Sequence, residues 1–92
     1  MRIEMAVSRP DSETIALQGL VFIMSDDAEI SRFLGLSGIS PEALRQSAGT
    51  PETLRAVMEY LMGHEPTARA FAESAGYKPD DLGYAAHRLG AI

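Results

Sequence analysis

The chain uses one stretch twice. Residues 22–48 (FIMSDDAEISRFLGLSGISPEALRQSA) align without a gap on residues 60–86 (YLMGHEPTARAFAESAGYKPDDLGYAA), 38 positions later. Six pairs are identical: Met24/Met62, Phe33/Phe71, Gly38/Gly76, Pro41/Pro79, Leu44/Leu82 and Ala48/Ala86. Phe22/Tyr60, Ile23/Leu61, Asp27/Glu65 and Glu42/Asp80 keep their chemical type. The matched positions are those that shape a chain: a helix-ending glycine, a helix-starting proline and the apolar anchors between them. A fold of two related modules is the simplest reading of such a pattern. Solenoids need three or more repeats with caps, so the two units are expected to pack on each other.

The local signals are helical throughout. Asp11 or Ser12 caps a first helix that is apolar on almost every side from Ile15 to Met24, as expected of a helix covered by several neighbours. Gly19 in its middle costs about 1 kcal/mol against alanine and makes sense where another helix crosses closely. A second helix over about 27–37 presents Ile30, Phe33 and Leu34, and Gly38 follows where a left-handed C-cap belongs. Ser40-Pro41-Glu42 starts a short third helix, about 41–48, and Thr50-Pro51-Glu52 starts a fourth, about 51–64. That fourth helix carries Leu54, Val57, Met58, Leu61 and Met62 at i, i+3, i+4, i+7 and i+8. A fifth (66–75, anchored by Phe71) and a sixth (79–89, with Leu82, Ala86 and Leu89) complete the second copy. Lys78 stands where the first copy has Ser40, so its corner should be the less well capped.

The expected fold is therefore all-α: a compact bundle of about six short helices from two tandem three-helix repeats, 22–48 and 60–86, related by a pseudo-twofold. Helices one and four lie at its centre. Residues 1–10 are expected to form a loosely held N-terminal arm before a single helical domain over 11–92. Ninety-two residues suffice for one core, not two.

Composition narrows the function. With no cysteine, disulfides, thiolate catalysis and cysteine-ligated zinc are excluded. A net charge of −5 argues against a nucleic-acid surface. Arg32, Arg45, Arg55 and Arg69 each follow an acid (Glu29, Glu42, Glu52, Glu65) by three or four residues, the spacing of ordinary helical ion pairs. The first ten residues show no signal-peptide pattern, and the apolar run Ile15–Met24 is too short to span a bilayer. These features suggest a soluble, cytoplasmic protein without membrane or nucleic-acid partners.

No constellation of catalytic, cofactor-binding or metal-binding residues emerges, and the chain is expected not to be an enzyme. His64-Glu65 opens like a zinc-protease helix, but Pro66 follows and Ala68 occupies the position of the second histidine. Asp26/Asp27 and Asp80/Asp81 sit at helix starts, where capping accounts for them. Neither a phosphate loop nor a nucleophile elbow is present. Tyr60 and Tyr84 fall off the inward stripes of their helices and Tyr77 lies in a loop, so the three form a candidate partner surface, peripheral core being the alternative.

The run Arg32-Phe33-Leu34, Gly38, Pro41-Glu42, Leu44-Arg45, Pro51, Leu54, Val57, Tyr60-Leu61, Phe71, Ala75-Gly76 and Pro79 resembles the domain-of-unknown-function 3572 family. The family comprises small helical proteins found mainly in alphaproteobacteria. The likeness covers about 11–89, and its motif is one of packing and capping. It implies no catalytic or ligand residue. The family commonly has proline directly after the acid that closes helix one, where this chain has Asp26-Asp27.

Three functions follow as expectations. The first is a protein–protein interaction or adaptor module, acting on an unidentified protein partner or by self-association. The second is a small-molecule or lipid carrier with a pocket lined by Phe22, Met24, Met58 and Met62. The third, the least supported by the residues, is an enzyme using His64 with Glu65 or Asp26.

Overall fold

A computed structural model of the chain describes residues 11–92. The expected N-terminal arm, residues 1–10, lies outside the described residues. Within them the fold is all-α, with no strand: α1 Ser12–Met24, α2 Asp27–Ser37, α3 Pro41–Ser47, α4 Pro51–Met62, α5 Glu65–Ala75 and α6 Pro79–Arg88.

The helix starts follow from local chemistry. Asp11 accepts from the backbone N–H of Thr14 at 3.0 Å, Asp26 from those of Ala28 and Glu29 at 2.9 and 3.0 Å, and Ser40 from that of Ala43 at 3.0 Å. Each satisfies N–H groups that a helix start leaves without partners. Thr50 does the same for Thr53 at 3.3 Å. Gly38 and Gly76 close α2 and α5 in the left-handed conformation, at φ 75° and 79°, which a side chain would strain. At α6 the cap is inverted. Lys78 offers no acceptor, and the Asp81 carboxylate instead accepts from the Lys78 backbone N–H at 3.0 Å.

Helices α1 and α4 form the centre. They pack on each other, and each also packs on α2, α5 and α6. Ile15, Ala16, Leu20 and Ile23 of α1 meet Leu54, Val57, Met58 and Leu61 of α4 in a single core, completed by Phe33, Phe71, Leu82, Ala85 and Ala86. The axes come close at Gly19, where an added Cβ would lie 3.0 Å from Leu61 Cδ1 and 3.4 Å from Val57 Cγ1. The helix-propensity cost of that glycine is offset by the approach it permits.

Several contacts exchange under the 38-residue shift. Phe22 stacks at a tilt on Phe71 (centroids 5.7 Å apart), and their counterparts Tyr60 and Phe33 meet edge to face at 5.6 Å. Glu29 and Thr67, themselves 38 residues apart, are hydrogen-bonded at 2.8 Å. The third helices depart from this scheme. α6 packs along α1, α4 and α5, whereas α3 touches the other helices only lightly, mainly through buried Leu44.

Three of the four expected ion pairs form, Arg32–Glu29 (3.1 Å), Arg45–Glu42 (2.8 Å) and Arg69–Glu65 (2.6 Å). Arg55 instead reaches forward to Glu59, at 4.0 Å.

Candidate functional site

The densest polar cluster ties the two halves together. Glu29, on the first turn of α2, accepts from the Tyr60 hydroxyl at 2.5 Å, the Thr67 hydroxyl at 2.8 Å and the Arg32 guanidinium at 3.1 Å. Arg32 also donates to the Tyr60 oxygen at 3.2 Å. One carboxylate thereby joins α2, α4 and α5. Burial, reinforced by the hydrogen bond to Glu29, pushes the Tyr60 phenol above its ordinary range near 10. The hydrogen bond to Tyr60 and the nearby Glu29 charge hold Arg32 still more firmly in its cationic form.

Tyr60 is consequently not a surface group. Only 5% of it is exposed, and the expectation that it offers a partner contact is corrected. The stripe Leu54–Leu61–Met62 assigned α4 one inward face, but α4 has neighbours on several sides, and α2 covers the side that carries Tyr60. Phe22, the counterpart of Tyr60 at the 38-residue offset, is only half-buried, its ring against Phe71. Tyr77 is half-buried, edge-on to Phe71 at 6.0 Å, with its hydroxyl donating to Gln18. Tyr84 is half-buried on α6 under the Arg88 guanidinium, 5.9 Å from the ring centroid. The three tyrosines thus belong to separate neighbourhoods and do not make one patch.

His64 turns back on its own chain. Its Nδ1 donates to the Tyr60 carbonyl oxygen at 2.8 Å, and its ring stacks on that of Tyr60, centroids 4.3 Å apart. This satisfies a carbonyl at the end of α4. The Asp26 carboxylate is engaged in capping α2, so His64 and Asp26 hold separate structural posts. Among the described residues no three His, Cys, Asp or Glu side chains converge on a metal-sized site. The proposed carrier pocket does not assemble either. Met58 is sealed in the core while Met24 is half exposed to solvent, and Phe22 and Met62 are only partly covered.

Two exposed features stand out. The outer face of α1 presents Leu17 (41% exposed), Val21 (64%) and Met24 (51%), at i, i+4 and i+7 on one stripe. The sequence carried the signal, since α1 is apolar on more sides than six short helices cover. A second feature lies between α2 and α4, an open groove of about 430 Å³ floored by Phe33, Ile39, Ala56 and Tyr60. Leu36, 65% exposed, stands at its edge. It falls outside the Ile30–Phe33–Leu34 stripe, an apolar residue on a polar face, and that too was visible in the sequence. Among the described residues no helix is long and apolar enough to cross a membrane.

Residues 9–91, nearly the whole chain, match the family described as protein of unknown function (DUF3572), and the chain belongs to it. No curated protein and no solved structure shows a significant match.

Proposed function

We propose that this DUF3572 protein is a non-catalytic protein–protein interaction module, acting in the cytoplasm, whose docking face is the outer side of α1. The observation that carries the reading is the Leu17–Val21–Met24 stripe on the helix that otherwise forms the middle of the core. Inside one molecule a helix gains nothing from leucine, valine and methionine on the side its neighbours do not reach. Covering them with a partner recovers about 25 cal/mol for each Å² of apolar surface removed from water.

The stripe also indicates the partner's chemistry. From Thr14 to Ser25 the chain carries no charged residue, so nothing on this face selects an acidic or a basic ligand. An amphipathic helix with apolar anchors at i, i+3/i+4 and i+7 fits such a surface. The scaffold behind it is read as a duplicated three-helix module, a proposal supported by the exchanged pairs Phe22/Phe71 and Tyr60/Phe33.

The test is site-specific photo-crosslinking in the native cell, with a photoreactive residue at position 21 and, as control, at exposed Arg45. A discrete adduct from position 21 alone, abolished by Leu17→Lys, is the expected result. Lysine at this exposed site should leave the circular dichroism unchanged. Equal labelling from both positions, or none from 21, removes the proposal.

A further inference from the structure

The exposed stripe of α1 has an occupant of matching chemistry within the chain itself. We propose that residues 3–7 cover Leu17, Val21 and Met24, lying extended and antiparallel to α1, so that a partner helix must compete with this arm for the face. The proposal rests on the docking reading of that face and adds what controls access to it.

The pattern of the arm comes first. Ile3, Met5 and Val7 alternate with Glu4 and Ala6, between Arg2 and Ser8. In an extended chain that period of two gathers the three apolar side chains on one side and leaves Arg2, Glu4 and Ser8 on the other. Among the described residues there is no strand to pair with such a segment, so its apolar side calls for a surface of side chains and not a sheet edge. The stripe of α1 is such a surface, uncharged from Thr14 to Ser25 and open at Leu17, Val21 and Met24.

Length and charge then fix the register. The arm joins α1 at Asp11, which has already left helical geometry at φ −63° and ψ 134°, so an arm that lies on α1 must run back along it. At about 3.3 Å per extended residue, Val7, Met5 and Ile3 lie about 10, 17 and 23 Å from Pro10. At about 1.5 Å per helical residue, Leu17, Val21 and Met24 lie about 9, 15 and 20 Å from Asp11. Val7 thus falls beside Leu17, Met5 beside Val21 and Ile3 beside Met24, each within about 3 Å along the axis. The last turn of α1 carries no basic residue, and Asp26 and Asp27 follow it. In this register Arg2 arrives there, a cation at a helix C-terminus and next to two acids.

The chain has no cysteine, so introduced pairs report the register directly. In the full chain, Met5→Cys with Val21→Cys should close an intramolecular disulfide at least tenfold faster than two mismatched pairs. These are Ala6→Cys with Val21→Cys, on the wrong side of the arm, and Ile3→Cys with Leu17→Cys, out of register. The three loops are nearly equal in length, so an arm that merely trails from α1 closes all of them at nearly the same rate. Equal closure overturns the proposal. Met5→Lys, which places a charge against the stripe, should raise the photo-crosslinked adduct from position 21 severalfold. An adduct indifferent to Met5→Lys overturns the competition between arm and partner. Register-selective closure with no adduct from position 21 in either chain would instead keep the arm as the occupant of the stripe and remove the docking reading, so the two fail separately.

Discussion

Phe22 meets Phe71 and Tyr60 meets Phe33, whereas Leu44 and Leu82, equally matched at the 38-residue offset, sit in helices with different surroundings. The difference starts at single residues. Where α6 has Ala85 and Ala86, both fully buried, α3 has Ser47 followed by half-buried Ala48. The Ser47 hydroxyl donates to the Ala43 carbonyl oxygen at 2.7 Å and lies 3.0 Å from the Thr53 hydroxyl. A smooth alanine face lets α6 approach both central helices, while a polar one keeps α3 at the rim. Glycine, proline and cap residues place a helix in the chain. Small apolar residues on its inner face decide what it packs against.

The sharpest way to break that comparison is to truncate the two leucines. Leu82→Ala, in a helix wedged against α1, α4 and α5, should cost about 3–5 kcal/mol. Leu44→Ala should cost about 2 kcal/mol, because the lightly packed α3 can settle into the space. Urea denaturation of both variants measures the difference. Equal losses would mean that the third helices are equivalent after all.

Much of this architecture was legible. The helix boundaries, the left-handed turns at Gly38 and Gly76, the caps at Asp26 and Ser40, and the close approach at Gly19 all follow from short-range chemistry that a few residues contain. Tyr60 was not legible, because periodicity reports where a helix's apolar stripe lies and not how many neighbours surround the helix. Glu29 is the instructive case. At i−3 from Arg32 it reads as half of a surface pair, and only the folding of α4 and α5 brings Tyr60 and Thr67 to it, 31 and 38 residues away in sequence. The exposed stripe of α1 was legible as excess, though which of its sides would stay open was not.

If the halves are held together where their matched residues meet, the tie at Glu29 should be worth more than an ion pair. Glu29→Ala should cost about 2 kcal/mol, since it leaves two hydroxyls without their charged acceptor. Thr67→Ala should cost about 1 kcal/mol. The pair should be coupled, so that the double variant loses less than the sum of the two. Additive losses would reduce Glu29 to a surface residue. The same tie predicts an alkaline signature. Because the folded-state pKa of Tyr60 is raised, its contribution is fully present below the ordinary tyrosine range near 10 and is lost as pH rises through the raised value. Absorbance titration of the folded protein should show a phase above the ordinary tyrosine range, and Tyr60→Phe should remove that phase.

The smallest effect tests the corners themselves. Ser40→Ala removes the hydroxyl that accepts from Ala43 N–H and should cost about 1 kcal/mol. Supplying the missing cap at the matched position should not return the same amount. In Lys78→Ser the new hydroxyl would face the Asp81 N–H, which already donates to the Lys78 carbonyl oxygen at 2.9 Å in a tight first turn. The Asp81 carboxylate meanwhile holds the Lys78 N–H. With both groups already satisfied, the serine should add only about 0.2–0.5 kcal/mol, near the low end for a cap. Thermal melts of the two variants beside the parent read the asymmetry directly. A gain at Lys78 as large as the loss at Ser40 would show that the second corner is merely an uncapped copy of the first, and not one that has found its own way to close.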